Sequence, residues 1–346
     1  MNITAVAKRA GVSTATVSRV MNGTANVSPD TAERVREAVE ALNFYPDVNA
    51  RALGSGRSGL YGLIISDITN PYFPELVKAF EDIAVEHGQD VLIANTDYDP
   101  KRMEMCVIRM LQRRVDGVAI MTSEMEDRLI RTLGQRQIPT IFMDTAAGGR
   151  GASTVNVDYT GGITEAMQYL FRLGHKEIAF ISGPLTLSSA RARTEAFQAA
   201  LREHGVKMRP GWLQEGDHRV EGGYHAMKRI LESGNRPTAV LGSNDLTAIG
   251  AMGAIHEKGL DIPGDISVVG FDDIELSGYT LPALTTLHVP RRELASTAFR
   301  ALFRGREAAP AKARRRREHV ITTKLVVRGS TGPAPAERNA AAIAER

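Results

Sequence analysis

The stretch TAVAKRAGVSTATVSRVMNG, Thr4 to Gly23, decides how the rest of the chain is read. Its pattern is two short helices around a tight turn. Thr4 is a candidate cap for the first, which runs through Ala5, Val6, Ala7, Lys8, Arg9 and Ala10. Gly11 supplies the turn, where a residue with a Cβ would be strained at positive φ. Ser13 can cap the second helix, Thr14 to Asn22, by accepting a bond from an orphan N–H. Val6, Ala10, Val17 and Val20 have the spacing of a shared apolar seam. Thr14, Ala15, Ser18 and Arg19 are left on the outer face. That is a helix-turn-helix, and its second helix has the size of an element that fits the DNA major groove. Alone, the stretch also fits an ordinary helical hairpin.

Outward from it, Val27-Ser28-Pro29-Asp30 opens a third helix, with Ser28 at the cap, Pro29 at the first helical position and acidic residues at the positive end of the dipole. Val35, Val39 and Leu42 recur at helical spacing and can close a three-helix headpiece, residues 1–46. Residues 47–59 begin as a short helix, marginal alone in water, and end as a Gly/Ser linker. Gly54 to Gly59 formally reads G-x-G-x-x-G. A dinucleotide loop follows a strand and opens a helix; this one precedes a strand, which excludes that reading.

From Leu60 onward, apolar runs alternate with helical patterns. The runs are Leu60–Ser66, Asp90–Asn95, Gly117–Met121, Thr140–Met143, Thr154–Val157, Glu177–Ser182, Thr238–Gly242 and Ile266–Gly270. Such alternation predicts an α/β domain of parallel sheets covered by helices. The units are too many for one compact sheet, so residues 60–330 are expected to form two doubly wound lobes with a cleft between them. A helix near Arg291–Arg304 and a strand near His319–Val327 imply that the chain crosses between lobes more than once. Residues 331–346, rich in Ala, Pro and Glu, read as a disordered tail without a leucine heptad. The Arg314–Arg317 run reads as a solvated loop.

Composition narrows the classes. The 346 residues are 43% hydrophobic and 24% charged, with net charge +3. A sequence pI near 9.0 is only mildly basic, so affinity for nucleic acid has to come from a local surface. One cysteine, Cys106, excludes an internal disulfide and a cysteine zinc site, and reads as a small core residue. Neither a signal peptide nor a membrane span is expected, which points to a soluble, cytoplasmic protein.

Several motifs then fall in one order. Ala10-Gly11-Val12-Ser13, Thr16 to Val20, Asn22 and Val27-Ser28 resemble the headpiece of lactose-repressor (LacI) family transcription regulators. Ala50-Arg51-Ala52-Leu53 is similar to their hinge helix, and Asp67 to Phe73 to the loop after the first strand of their effector domain. Ser243-Asn244-Asp245, Val269 to Asp273, Pro282 to Thr286 and Val327 to Ser330 match later landmarks. The resemblance covers about residues 2–330. It implies a periplasmic-binding-protein-like effector domain behind the headpiece, and a homodimer on near-palindromic operator DNA. Ala15, Asp47 and Ala196 depart from the pattern; Ala15 is small where relatives carry a polar base reader.

At the DNA end, Arg19 can make a bidentate contact to guanine, and Thr14 and Ala15 can meet a thymine methyl or a base edge. Ser13, Thr16, Ser18, Asn22 and Asn26 suit phosphates, although capping would equally explain Ser13 and Thr16. Thr4, Asn49 and Arg51 complete the expected DNA-contacting set. The resemblance gives Leu53 the role of a wedge in the minor groove.

At the effector end, ligands of open α/β lobes sit beyond the carboxyl ends of strands. Tyr72, Phe73, Asp144, Arg193, His218, Asn244 and Asp272 are the candidates there, and positions matching Tyr72, Phe73, Arg193, Asn244 and Asp272 line the cleft in the family. Asp245 reads instead as a helix N-terminal residue. No G-x-S-x-G, H-E-x-x-H or P-loop supports an enzyme, and no cofactor or metal is expected. A stand-alone solute-binding protein is the alternative for residues 60–330. The expected function is a repressor whose operator affinity is changed by a small effector, on family frequency a sugar before a nucleobase or nucleoside.

Overall fold

The computed structural model describes residues 2–21, 27–45, 57–122, 126–144, 153–307 (side chains to 304) and 318–335. The chain divides into two compact units, Met1–Gly59 and Leu60–Arg346.

In the first unit, helices α1 (Ile3–Ala10), α2 (Thr14–Met21) and α3 (Pro29–Ala41) pack together. Val6, Ala7, Ala10, Val17, Val35 and Ala38 are buried, with Val20, Val39 and Leu42 against them. Gly11 takes φ +67° at the turn, a conformation a side chain would resist. Asn2, not Thr4, caps α1. Asn2 is extended, and its Oδ1 accepts from Ala5 N at 3.1 Å, while Thr4 lies within the first turn and is exposed. Ser13 Oγ accepts from Thr16 N at 3.1 Å, as a cap should. Ser28 holds the cap position of α3, but its hydroxyl donates to Thr31 Oγ1 at 2.9 Å rather than accepting an orphan N–H.

The second unit holds two six-stranded sheets. The strands are β1 Leu60–Ile65, β2 Asp90–Asn95, β3 Gly117–Met121, β4 Thr140–Met143, β5 Ser153–Val157, β6 Ile178–Ser182, β7 Leu213–Glu215, β8 Ala239–Gly242, β9 Ser267–Asp272, β10 Thr285–His288, β11 Glu318–Ile321 and β12 Lys324–Val326. The helices are α4 Tyr72–Glu86, α5 Pro100–Gln112, α6 Asp127–Gln135, α7 Tyr159–Arg172, α8 Ser188–Glu203, α9 Val220–Glu232, α10 Asp245–Glu257 and α11 Arg291–Glu307.

The first lobe's sheet runs β11-β5-β4-β3-β1-β2 and is parallel throughout. The second lobe's sheet runs β12-β10-β9-β8-β6-β7, parallel except for β12. Central strands such as β3, β6 and β9 are buried along their whole length, because helices cover both faces. The chain crosses between lobes after β5, after β10 and after β11. Within the second lobe α9 and α10 pack backbone to backbone. A Cβ on Gly250 would sit 2.0 Å from the Val220 carbonyl oxygen, and one on Gly223 would sit 2.2 Å from that of Thr247.

Two further expectations are corrected. The single strand near His319–Val327 is two strands in different sheets, divided at Thr322–Thr323, because the third crossing falls inside that stretch. The start of the expected tail is bonded onto the second lobe. Gly332 N donates to Ser267 Oγ at 3.1 Å, Ala334 N donates to the Leu173 carbonyl at 2.8 Å, and Thr331 Oγ1 pairs with the Tyr169 hydroxyl at 2.9 Å. Composition favours a tail there, but the backbone N–H groups find buried acceptors. Residues 336–346 lie outside the described residues, as does the Arg314–Arg317 run. Cys106 is a buried core residue.

Candidate functional site

On the recognition helix α2, Val17 faces the core, while Thr14, Ala15 and Arg19 are exposed and Ser18 is half-buried. The Ser13 and Thr16 hydroxyls lie 3.0 Å apart and are both occupied by the cap. Asn22, Asn26, Asn49, Arg51 and Leu53, with the expected hinge helix, lie outside the described residues.

Between the lobes of the second unit lies a cavity at the carboxyl ends of both sheets. Tyr72, Phe73, Asp144, Arg193, His218, Asn244 and Asp272, all seven sequence-derived effector candidates, line it. The first three come from the first lobe and the other four from the second.

Arg193, on the second turn of α8, is its electrostatic centre and only 7% exposed. Its guanidinium carbon lies 4.3 Å from the Tyr159 ring centroid and 4.4 Å from that of Phe271. Such contacts favour a flat, weakly hydrated cation. Nη1 donates to the Ser243 carbonyl at 2.6 Å, and Nη2 lies 3.9 Å from Asp272 Oδ1. Nε is buried and has no partner among the described residues. A buried donor left unpaired costs about 1–3 kcal/mol, which an oxygen acceptor placed at Nε would recover.

Two carboxylates converge on this cation. Burial pushes Asp272 up to about 7, against the pull of Arg193 and Arg291. It pushes Asp144 up to about 6, although Arg193 and a hydrogen bond from the Tyr159 hydroxyl favour the charged form. His218 is driven the other way, to about 3, by burial and by the positive charge of Arg193, and is therefore neutral. Its Nε2 bonds Ser243 Oγ at 2.8 Å. Burial also pushes the Tyr72 and Tyr159 phenols well above their ordinary value.

Asn244 has two structural duties: Oδ1 caps α10 by accepting from Thr247 N at 2.9 Å, and Nδ2 donates to the His218 carbonyl at 3.0 Å. Asp245 faces the interior and not the cavity, accepting from Ile274 N at 2.8 Å and from the Thr286 hydroxyl. Asp273 lies outside the cavity lining. Burial opposes its charge, but bonds from His288 and Arg328 outweigh that and hold it at about 2.

Six of the nine non-glycine residues with positive φ among the described residues stand in or beside the cleft. Asp97, Tyr98, Asp144, His218 and Asp273 take φ between 53° and 63°, and Asp272 takes 114°. Each stands at or just beyond the carboxyl end of a strand, where a sharp left-handed bend turns its side chain across the strand ends. Such residues persist only where the surrounding fold over-determines them.

Sequence reasoning missed Tyr98, Tyr159 and Ser189, which also line the cavity. Tyr159 and Tyr98 follow apolar runs and were within reach of the rule that found Asp144. Ser189 stands one helical turn before Arg193, and nothing local marks it.

Comparison with known proteins identifies the family. Residues 2–47 match the bacterial regulatory proteins of the lacI family, and residues 167–331 match the periplasmic binding protein-like domain. The chain is 40% identical over 302 residues to the HTH-type transcriptional repressor PurR of Erwinia tasmaniensis, covering 86% of this chain and 88% of that protein. It is 36% identical over 327 residues to the ribose operon repressor of Escherichia coli K12, covering 94% and 98%. A crystal structure of the Lac repressor dimer bound to operator and the anti-inducer ONPF superposes with a TM-score of 0.86, at 30% identity, over 96% of this chain and 99% of that one. These relatives are transcriptional repressors and not enzymes. The chain therefore belongs to the lacI family of bacterial regulatory proteins, and is a ligand-responsive, DNA-binding repressor.

Proposed function

We propose that the interlobe cleft takes a neutral sugar as effector in preference to a nucleobase, and that its occupancy changes the affinity of a homodimer for a near-palindromic operator. One observation carries the choice of ligand: Asp144 and Asp272 converge on Arg193, whose Nε has no partner among the described residues. Two carboxylates accept from several hydroxyls at once, and the arginine donates to ring or hydroxyl oxygens. Tyr72 and Phe73 meet edge to face, their rings at 85° with centroids 5.5 Å apart. They offer a corner for the C–H face of a sugar and not the parallel walls that would sandwich a flat base.

At the DNA end, Arg19, Thr14 and Ala15 read base edges, while Thr4, Ser13, Thr16, Ser18, Asn22, Asn26, Asn49 and Arg51 hold phosphates. Leu53 wedges into the minor groove at the operator centre. Residues 1–46 act as the headpiece, 47–59 as hinge and linker, and the lobes as sensor and dimerisation domain. Effector binding changes operator affinity by as much as it favours one arrangement of the lobes over another. The protein works in the cytoplasm, at the nucleoid.

The test is a thermal-shift screen of monosaccharides, nucleobases and nucleosides, followed by anisotropy on operator DNA with and without the compound that shifts. A monosaccharide should raise the melting temperature and alter operator affinity. A shift produced only by nucleobases or nucleosides refutes the sugar assignment.

A further inference from the structure

We infer that Tyr98 sets the size of effector the cleft accepts, closing its open edge so that a single-ring ligand is enclosed and one carrying a second ring is shut out. The inference rests on the reading of the cleft as a sugar site.

The topology defines the open edge. All three crossings between lobes involve strands at one side, β5 and β11 in the first sheet and β10 and β12 in the second. Strands β2 and β7 are the opposite edges. The loop after β2 carries Asp97 and Tyr98, and the loop after β7 carries His218 and Arg219. Arg219 reaches across the cleft: its Nη2 lies 3.8 Å from Asp97 Oδ1 in the loop after β2 and 3.2 Å from Asp67 Oδ2 in the neighbouring loop after β1. The Asp67 carboxylate is anchored by the Thr69 N–H and hydroxyl at 2.9 and 2.6 Å, so the cation meets a fixed acceptor. The mouth is thus already bridged by charge where the lobes are farthest from their crossings.

Tyr98 fills the space behind that bridge. It belongs to the first lobe, yet it lines the cavity with Arg193, His218 and Asp272 of the second. Burial pushes its phenol up to about 12, with the Asp67 and Asp272 charges adding to the rise, so it faces both lobes' carboxylates as a neutral group. Its hydroxyl bonds to no other described residue. The loop does not let the ring swing away. Asp97 and Tyr98 are consecutive left-handed residues at φ 53° and 55°. They are pinned by Asp97 N to the Ser66 carbonyl at 2.7 Å and by Asp99 N to the Thr96 carbonyl at 3.0 Å. A tyrosine held there costs of order 1 kcal/mol that glycine would not. That strain is spent on aiming a large ring into the mouth.

The decisive variant is Tyr98→Gly, which removes the ring at a backbone conformation glycine adopts freely. Tyr98→Phe keeps the ring and removes the hydroxyl. Binding is measured by calorimetry for the monosaccharide that shifts the wild type, for its phenyl glycoside and for a disaccharide containing it, with Asp272→Asn in parallel. The wild type and Tyr98→Phe should prefer the monosaccharide by about tenfold or more, and Tyr98→Gly should abolish or reverse that preference. An unchanged preference in Tyr98→Gly, or a wild type that takes both sizes equally, overturns the inference while loss of binding in Asp272→Asn leaves the sugar site standing. If Asp272→Asn binds the monosaccharide as the wild type does, or no sugar binds, the sugar site falls and the size gate with it.

Discussion

Arg193 Nη1 donates to the Ser243 carbonyl at 2.6 Å, and the hydroxyl of the same serine bonds His218 Nε2 at 2.8 Å. One buried residue at the end of β8 therefore fixes both the cation and the neutral imidazole of the cleft. The guanidinium is held on one side by this bond and on its faces by Tyr159 and Phe271, and its Nε has no partner among the described residues.

A lysine cannot reproduce that arrangement, because an ammonium lacks the planar fork and the two faces. Arg193→Lys should weaken effector binding by about 1.5–3 kcal/mol, roughly ten- to a hundredfold, with the charge conserved. Calorimetry measures it, and wild-type affinity in this variant would show that charge alone suffices.

The buried carboxylates make the ligand-free protein sensitive to pH. Asp272 titrates at about 7 and Asp144 at about 6 when folded, against 3.8 for an unperturbed aspartate. Between pH 4 and 7 the folded state thus binds more protons than the unfolded one. This contribution to stability is fully present below about pH 4 and is lost as pH rises through 7. For Asp272 alone it amounts to at most about 4 kcal/mol. The melting temperature of the ligand-free protein should fall between pH 5 and 8, and Asp272→Asn should flatten that fall. Parallel profiles for variant and wild type would contradict the assignment.

Gly183 makes room for the imidazole. A Cβ there would lie 1.9 Å from His218 Nε2, a separation no real pair of atoms tolerates. Gly183→Ala should displace His218, break its bond to Ser243 and cost effector affinity while the lobes stay folded. Circular dichroism and calorimetry together check this; full affinity would mean the ring is not needed where it stands.

On the DNA side, Arg19→Ala should cost about 1–3 kcal/mol of operator affinity and relax specificity at one base pair. It should leave the effector-induced thermal shift unchanged. Anisotropy on the operator and on single-base variants reads both effects, and equal loss on every sequence would recast Arg19 as a phosphate contact.

The two ends of the chain were legible to different degrees. Ala10-Gly11-Val12-Ser13 and the Val6–Val17 seam specify the headpiece because a helix-turn-helix is local: its cap, its turn glycine and its apolar spacing lie within twenty residues. Strand and helix alternation from Leu60 likewise announces parallel sheets. The division at Thr322–Thr323 was invisible, because which sheet a strand joins depends on partners more than a hundred residues away. Residues 331–334 were misread for the same reason, their acceptors being Ser267 and Leu173.

At the cleft, the sequence by itself determined which side chains stand at strand ends, since period and run length locate those ends. That was enough to name Asp144 and Asp272, whereas Arg193, on a helix after β6, came with the family resemblance and His218 from the turn at Gly216–Val220. Only the tertiary structure decided what they became. The fold buried two aspartates beside one arginine, set a histidine against Ser243, and brought Tyr98 of one lobe to Asp272 of the other. Those properties depend on distance and desolvation, which arise only when two sheets close on each other.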